Sequence, residues 1–263
     1  MSVNSYLSNL ASTLVLKESE LTSINTSIST INFRISNYFG PAISQHFKFG
    51  SSTRGTILPR KADGNSDIDY MVVFNTTNGT YKPQTYLNQL KKFAEHYYST
   101  SEIRQSHPTI VLELNHIRFE LVPAILDLGS RYQIPSHASN WNEWLFTDPN
   151  GFNQKLTNAN TNNKSQIKPL VRLVKYWNAL NGHLYSSFEL ENFIAELYYW
   201  NCYYLKDYFY SFWSSISYDR NTAQYAKDRI QKANVKAVTI CQYEQQGYES
   251  LAVSELAKLL PSI

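Results

Sequence analysis

The sequence predicts an α+β fold in two lobes, a mixed β-sheet with flanking helices followed by a helical lobe, and three observations predict it. A helical run free of proline and glycine occupies residues 6–38, short apolar strands and turns fill residues 45–122, and most of what lies beyond Ile167 favours helix. The 263 residues suffice for one large domain or two small lobes. The expected division is 1–135 for the sheet lobe with its long N-terminal helix and 136–263 for the helical lobe.

Within residues 6–38, Leu7, Leu10, Leu14, Leu21, Ile24, Ile28, Ile31 and Ile35 recur near helical spacing, predicting one long or two abutting helices that Gly40-Pro41 ends. Residues 45–49 form a short strand running into the Gly50-Ser51 turn, and residues 68–74 form a clearer one. Residues 86–98 are helical, with Leu87, Leu90, Phe93 and Ala94 on one face. After Pro108, residues 110–114 and 117–122 make two strands joined by a tight hairpin at Asn115-His116, and Pro123 ends the second. The polar stretch 129–143, followed by Trp144 to Pro149, reads as the crossing between lobes. The Asn-rich segment 158–163 reads as a solvated loop.

A helix is expected over 167–181, with Pro169 in its first turn and Lys168, Arg172 and Lys175 on one face. Another begins near Ser187 and runs into the aromatic stretch 198–213, where core packing is favoured over base stacking. Two more helices cover 222–233 and 250–260.

The formal net charge of +3 is too weak to argue by itself for tight duplex binding, which needs a concentrated basic face, so any basic function is local. Cys202 and Cys241 match no disulfide or zinc framework and read as buried free thiols in a reducing, cytoplasmic setting. The first sixteen residues lack the basic and apolar regions of a signal peptide, and no apolar run reaches the ~20 residues a bilayer span needs. No membrane partner is expected. His46, His96, His107, His116, His137 and His183 are scattered without a metal or nucleophile spacing, and no Gly-x-Ser-x-Gly elbow is present.

The chemistry concentrates in two motifs. Gly50-Ser51 offers backbone N–H groups, a hydroxyl and little steric bulk to phosphate oxygens; no Gly-Lys-Ser/Thr follows, so the loop is not a Walker A motif. Asp67 and Asp69 stand two apart at the start of an apolar strand and therefore share one face. Two carboxylates held that close call for a cation, and Mg²⁺ combines one or two carboxylates with phosphate oxygens and water. Together the motifs point to chemistry on a nucleoside triphosphate.

The order Gly50-Ser51, Arg54-Gly55-Thr56, Asp67-Ile68-Asp69, then Phe119-Glu120-Leu121-Val122-Pro123-Ala124 resembles the nucleotidyltransferase superfamily that includes DNA polymerase beta. More narrowly, Tyr132-x-Ile134-Pro135, Trp144 to Pro149, Leu173-Val174-Lys175-Tyr176-Trp177-Asn178 and Ser186-Ser187-Phe188-Glu189-Leu190-Glu191 resemble the bacterial relatives of cyclic GMP-AMP synthase and oligoadenylate synthase, which make cyclic oligonucleotide signals in anti-phage defence. The resemblance implies a two-lobed polymerase-beta-like fold whose helical lobe closes a nucleotide cleft. It also implies a third metal ligand, at the position of Glu120. The family's residue there is Asp, and the extra methylene of glutamate changes the reach of the carboxylate; Glu113 is the other acid of the hairpin.

By the same resemblance Lys175 and Ser187 hold the donor triphosphate and Phe188 stacks on a base. The implied reaction is a two-metal nucleotidyl transfer with Mg²⁺, for which Mn²⁺ may substitute: Asp67, Asp69 and Glu120 hold the ions and Gly50 and Ser51 cradle the donor phosphates of ATP or other NTPs. A cyclic di- or trinucleotide is the first-choice product and a linear oligonucleotide the second. Transfer to RNA or protein, and a sensor that binds nucleotides without turnover, remain as alternatives, and a nucleic-acid or protein activator is left open. Lys227, Arg229, Lys232 and Lys236 are the basic cluster an RNA reading would use, or else a solvated helix face.

Overall fold

The computed structural model describes residues 1–77, 79–106, 108–136 and 143–263. Two compact units emerge: a sheet unit of Lys17–Arg60 and Asn65–Asn153, and a helical unit of Met1–Leu16, Lys61–Gly64 and Gln154–Ile263. The proline-free and glycine-free N-terminal run is two helices, α1 (Val3–Thr13) and α2 (Glu18–Phe39), and they fall in different units.

In the sheet unit, α2 is followed by a 3₁₀ turn at Gly40–Ala42, β1 (Ile43–Phe49), the single turn α3 (Ser51–Arg54), β2 (Asp67–Phe74) and α4 (Pro83–Tyr97). Then come β3 (Glu102–Ser106), β4 (Thr109–Glu113), β5 (Arg118–Leu126), β6 (Tyr132–Pro135) and β7 (Trp144–Thr147). The strands form one mixed sheet in the order β1-β2-β5-β4-β3, with β6 joining β5 to β7. Among the described residues only β2 and β5 run parallel.

Period-two alternation sorts the strand residues onto two faces. Ile68, Tyr70, Val72, Phe74, Ile110, Leu112, Phe119 and Leu121 are buried with Ile31 and Ile35 of α2 and Leu87, Leu90 and Phe93 of α4. On the other face Met71, Val73 and Ala124 form a small core with Phe47, Phe49, Leu126, Tyr132 and Ile134. The N-terminal end of β2 on that second face carries Asp67 and Asp69.

The helical unit contains α1, most of α5 (Pro149–Asn162), α6 (Ile167–Leu180), α7 (Ser187–Glu196), α8 (Leu205–Ser215), α9 (Gln224–Gln245) and α10 (Glu249–Leu259). Its centre is α6, where Leu170, Val171, Leu173, Val174 and Trp177 are buried. Trp177 meets Trp213 of α8 edge-on at 4.8 Å. The helix α1 is tied in by its buried Leu7 and Leu10, by Tyr6 Oη donating to the Leu260 carbonyl at 2.7 Å, and by Arg172 Nε donating to the Ala11 carbonyl at 3.3 Å.

Several expectations are corrected. The Asn-rich segment is not a loop but the end of α5, because Phe152 and Leu156 bury one face and Gln154 bonds Asn158 across one turn at 2.7 Å. Residues 129–149 are not only a crossing: β6 and β7 extend the sheet, so the sheet unit continues past residue 135 to Asn153. The helix from Ser187 does not run into the aromatic stretch; it ends at Glu196, with Leu197 extended, and α8 starts afresh at Leu205. That split divides the aromatics, since Tyr208, Phe209, Phe212 and Trp213 are core whereas Tyr198, Trp200, Tyr203 and Tyr204 are exposed. The helix expected over 222–233 reaches Gln245, and β3 lies in a stretch assigned no strand.

Cys202 and Cys241 are free and half-buried rather than buried. His46 bonds Ser36 and Tyr70, and His116 bonds Ser27, so both are structural. His107 and His137 lie outside the described residues. No described helix is long and apolar enough to cross a membrane.

Candidate functional site

The two motifs converge at one point of the sheet unit. Parallel pairing sets Asp69 beside Glu120 and Asp67 beside Arg118, and antiparallel pairing sets Asp69 beside Phe49, the residue before Gly50. Paired residues of neighbouring strands share a face, so Asp67, Asp69, Arg118 and Glu120 project together. Gly50 has φ +73° and ψ −154°, a conformation open essentially to glycine. A Cβ built on it would lie 1.8 Å from Asp69 Oδ2. The Asp69 carboxylate therefore rests against the bare Cα of Gly50.

Ser51 follows, buried, with its carbonyl accepting from the N–H groups of Thr56 and Ile57 at 3.1 and 3.2 Å. Those bonds, with Thr53 Oγ1 donating to the Gly50 carbonyl at 2.8 Å, hold the turn in shape. Arg54 is buried over the Phe152 ring at 4.9 Å and bonds Asn153 at 3.3 Å, anchoring the turn to the start of α5.

The electrostatics separate the two acids of the β4–β5 hairpin. Burial would raise the Glu113 carboxyl, but hydrogen bonds from Arg118 and Arg60 outweigh it and hold the group below the ordinary range. Its contacts are 2.7 Å to Arg118 Nε and 2.8 Å to Arg60. Burial pushes the Glu120 carboxyl up, against a hydrogen bond from Thr109 Oγ1 at 3.3 Å and the charges of Arg118 and Arg104. Glu113 is thus engaged by two arginines, and Glu120 is the acid beside Asp69.

Arg118 was not anticipated from the sequence. Burial lowers its pKa, but the Glu113 hydrogen bond and the charges of Glu113, Asp67 and Glu120 raise it overall, so it sits as a counter-charge among the acids. Its position two residues before Glu120 on one strand was the signal available.

Among the described residues no group of three or more His, Cys, Asp or Glu side chains is disposed to hold a metal ion without further ligands. The donor set nonetheless fits magnesium: hard carboxylate oxygens from Asp67, Asp69 and Glu120 on one face, with the rest of the shell left to phosphates and water, as Mg²⁺ prefers.

Three predicted residues lie on the helical unit. Lys175 is 6 % exposed and its Nζ lies 3.3 Å from Oε1 of Glu191, which is fully buried, so it is no solvated helix charge. Ser187 is the first residue of α7 after a capping box in which Ser186 Oγ accepts from Glu189 N at 3.2 Å and Glu189 accepts from Ser186 N at 2.9 Å. Phe188 is 56 % exposed, which excludes a core role. On the Lys175 helix, Arg172 is held below its usual pKa by burial and serves α1.

Known proteins are similar to this chain in sequence and in fold. Residues 1–160 match the model of the Second Messenger Oligonucleotide or Dinucleotide Synthetase domain. A probable cyclic nucleotide synthase of Bacillus cereus is 30% identical over 115 residues, 40% of this chain and 34% of that protein. A cyclic AMP-AMP-AMP synthase of Acinetobacter is 26% identical over 173 residues, 62% of this chain and 49% of that protein. The matched region thus spans between a third and a half of the length of these curated relatives. The solved structure of CdnC from Escherichia coli MS115-1 with ATP shares the fold at TM-score 0.74 and 14% identity, covering 100% of this chain and 98% of that one. With three-fifths of its length matched by the family model, the chain belongs to the Second Messenger Oligonucleotide or Dinucleotide Synthetase family.

Proposed function

We propose that the protein is a magnesium-dependent nucleotidyltransferase that joins NTPs with release of pyrophosphate and makes a cyclic di- or trinucleotide second messenger in anti-phage defence. The observation that carries this is the contact of the Asp69 carboxylate with Gly50, with Glu120 in register beside it. The names of the relatives support the product class: one is a probable cyclic nucleotide synthase and another a cyclic AMP-AMP-AMP synthase. ATP is accordingly the first substrate to test, in keeping with the ATP complex of the E. coli structure.

In the proposed reaction an acceptor hydroxyl oxygen, giving up its proton to solvent, bonds to the donor α-phosphorus as the bond from that phosphorus to the bridging oxygen breaks and pyrophosphate leaves. Bound Mg²⁺ supplies charge neutralisation of the triphosphate and polarisation of the reacting oxygens. Asp67, Asp69 and Glu120 are the groups that hold it. The missing side chain at Gly50 leaves room for the Asp69 carboxylate, and the bonded turn fixes Ser51 for phosphate oxygens. Lys175 and Ser187 are assigned to the donor triphosphate and Phe188 to a base face, where an exposed ring suits stacking.

The test incubates the protein with all four NTPs and Mg²⁺ or Mn²⁺, treats the mixture with phosphatase and separates the products. Phosphatase-resistant material is expected from the wild type, and Asp67→Asn and Asp69→Asn should each lower pyrophosphate release by at least about 10²-fold. Release at the wild-type rate in both variants refutes the site assignment, and phosphatase-sensitive oligomers refute the cyclic product.

A further inference from the structure

The basic cluster of the C-terminal helices is not a uniform solvated face. Arg229, Lys232 and Lys236 recur at i, i+3 and i+7 on α9 and line one cavity of about 240 Å³ with Lys258 of α10. Trp177 and Asn181 from α6, with Ala233 and Leu259, complete the lining. Lys227, on the same helix, is not part of it; its Nζ donates to the Arg220 carbonyl at 2.7 Å.

Charge balance inside the cavity is one-sided. Glu255 accepts from Lys236 at 2.8 Å and from Lys258 at 2.6 Å, holding both ammonium groups in place by bridging α9 and α10. Arg229 donates to the Asn181 carbonyl at the end of α6. Among the described residues no carboxylate pairs with Arg229 or Lys232. Four cations facing one carboxylate leave three positive charges for a guest, and like charges held together in a concavity favour an anion. The volume is smaller than the ~300 Å³ at which drug-sized pockets begin, so the guest is compact.

We propose that this cavity is an anion site for a small ligand carrying two or more linked phosphate groups, either a free polyphosphate or the phosphate chain of a nucleotide. It lies wholly within the helical unit and includes none of Asp67, Asp69, Glu120, Lys175, Ser187 or Phe188. The proposal stands independently of the nucleotidyl-transfer reading. Lysine and arginine donors contribute charge-assisted hydrogen bonds, and the two helices fix their spacing before the ligand arrives.

The experiment is isothermal titration calorimetry on the full chain at low salt with EDTA, using inorganic tripolyphosphate as one probe and ATP as the other. One saturable site is expected, weakening as salt rises. Lys232→Gln and Lys258→Gln should each lower affinity on the order of tenfold, whereas Lys227→Gln should leave it unchanged. Equal affinity for the two probes assigns the site to the phosphate chain alone, and tighter ATP binding that is still lost in Lys232→Gln assigns it to a nucleotide; both support the proposal. Absence of saturable tripolyphosphate binding, an equal loss in Lys227→Gln, or no loss in Lys232→Gln and Lys258→Gln overturns it. A single-stranded oligonucleotide competing more tightly than tripolyphosphate also overturns it in favour of a nucleic-acid face.

Discussion

Gly50 shows how one missing side chain can define a site. Its φ of +73° and the 1.8 Å approach of Asp69 Oδ2 to an added Cβ exclude alanine on two separate grounds, backbone strain and collision. Gly50→Ala should therefore push the Asp69 carboxylate aside and reduce pyrophosphate release by at least about 10²-fold, measured by a coupled pyrophosphate assay. Glu120 gives the complementary case. Burial raises its folded pKa, so the stability it lends is full below the unfolded value of about 4.3 and is lost as pH rises through the folded value. At pH 7 the folded protein carries a poorly solvated charge, which the neutral isostere removes. Glu120→Gln is expected to raise the metal-free Tm by a few degrees at pH 7, to lose that gain below about pH 4, and to be inactive. An unchanged Tm in a calorimetric scan at pH 7 would refute the burial cost. Sequence spacing made Gly50, Asp67 and Asp69 legible as a group because a strand repeats every two residues; Arg118 was not, because its neighbours come from β2 and β4 and only the pairing of the strands reveals them.

At the scale of elements, the strands that hold the acids follow from their apolar alternation, and the parallel register of β2 on β5 turns that alternation into a cluster of charges on one face. The α6–α7 pair works differently. Lys175 and Glu191 are both buried and paired, and removing one member of such a pair leaves a charge with reduced compensation in a poorly solvating interior. Lys175→Met should cost about 3 kcal/mol in urea unfolding, while Lys175→Met with Glu191→Leu should recover most of that loss. If the single variant is as stable as wild type, the pair has no structural role. The helix carrying these groups was evident from its period, yet the burial of Lys175 was not, since a cation at a helical i+7 position looks solvated until its partner from the next helix is known. The same limit applied to α5: four asparagines in residues 158–163 resemble loop chemistry, and only the burial of Phe152 and Leu156 shows which tendency wins.

At the scale of the molecule, the two units draw on segments far apart in sequence. Both long runs of helix and strand were visible from periodicity, but the assignment of Met1–Leu16 and Lys61–Gly64 to the helical unit was not, because local pattern carries no information about distant partners. Leu7 is fully buried on α1, which packs against α6, α8 and α10. Leu7→Ala should destabilise the protein by about 2–5 kcal/mol, and chemical denaturation followed by circular dichroism reads it directly. The division of the N-terminal run also bears on how the chain is made. Leu7, Leu10 and Leu14 are translated well before the helices α6, α8 and α10 against which α1 packs. The intervening sheet unit can fold in the meantime, leaving an apolar stripe waiting until those helices are made for a docking event of very long sequence separation.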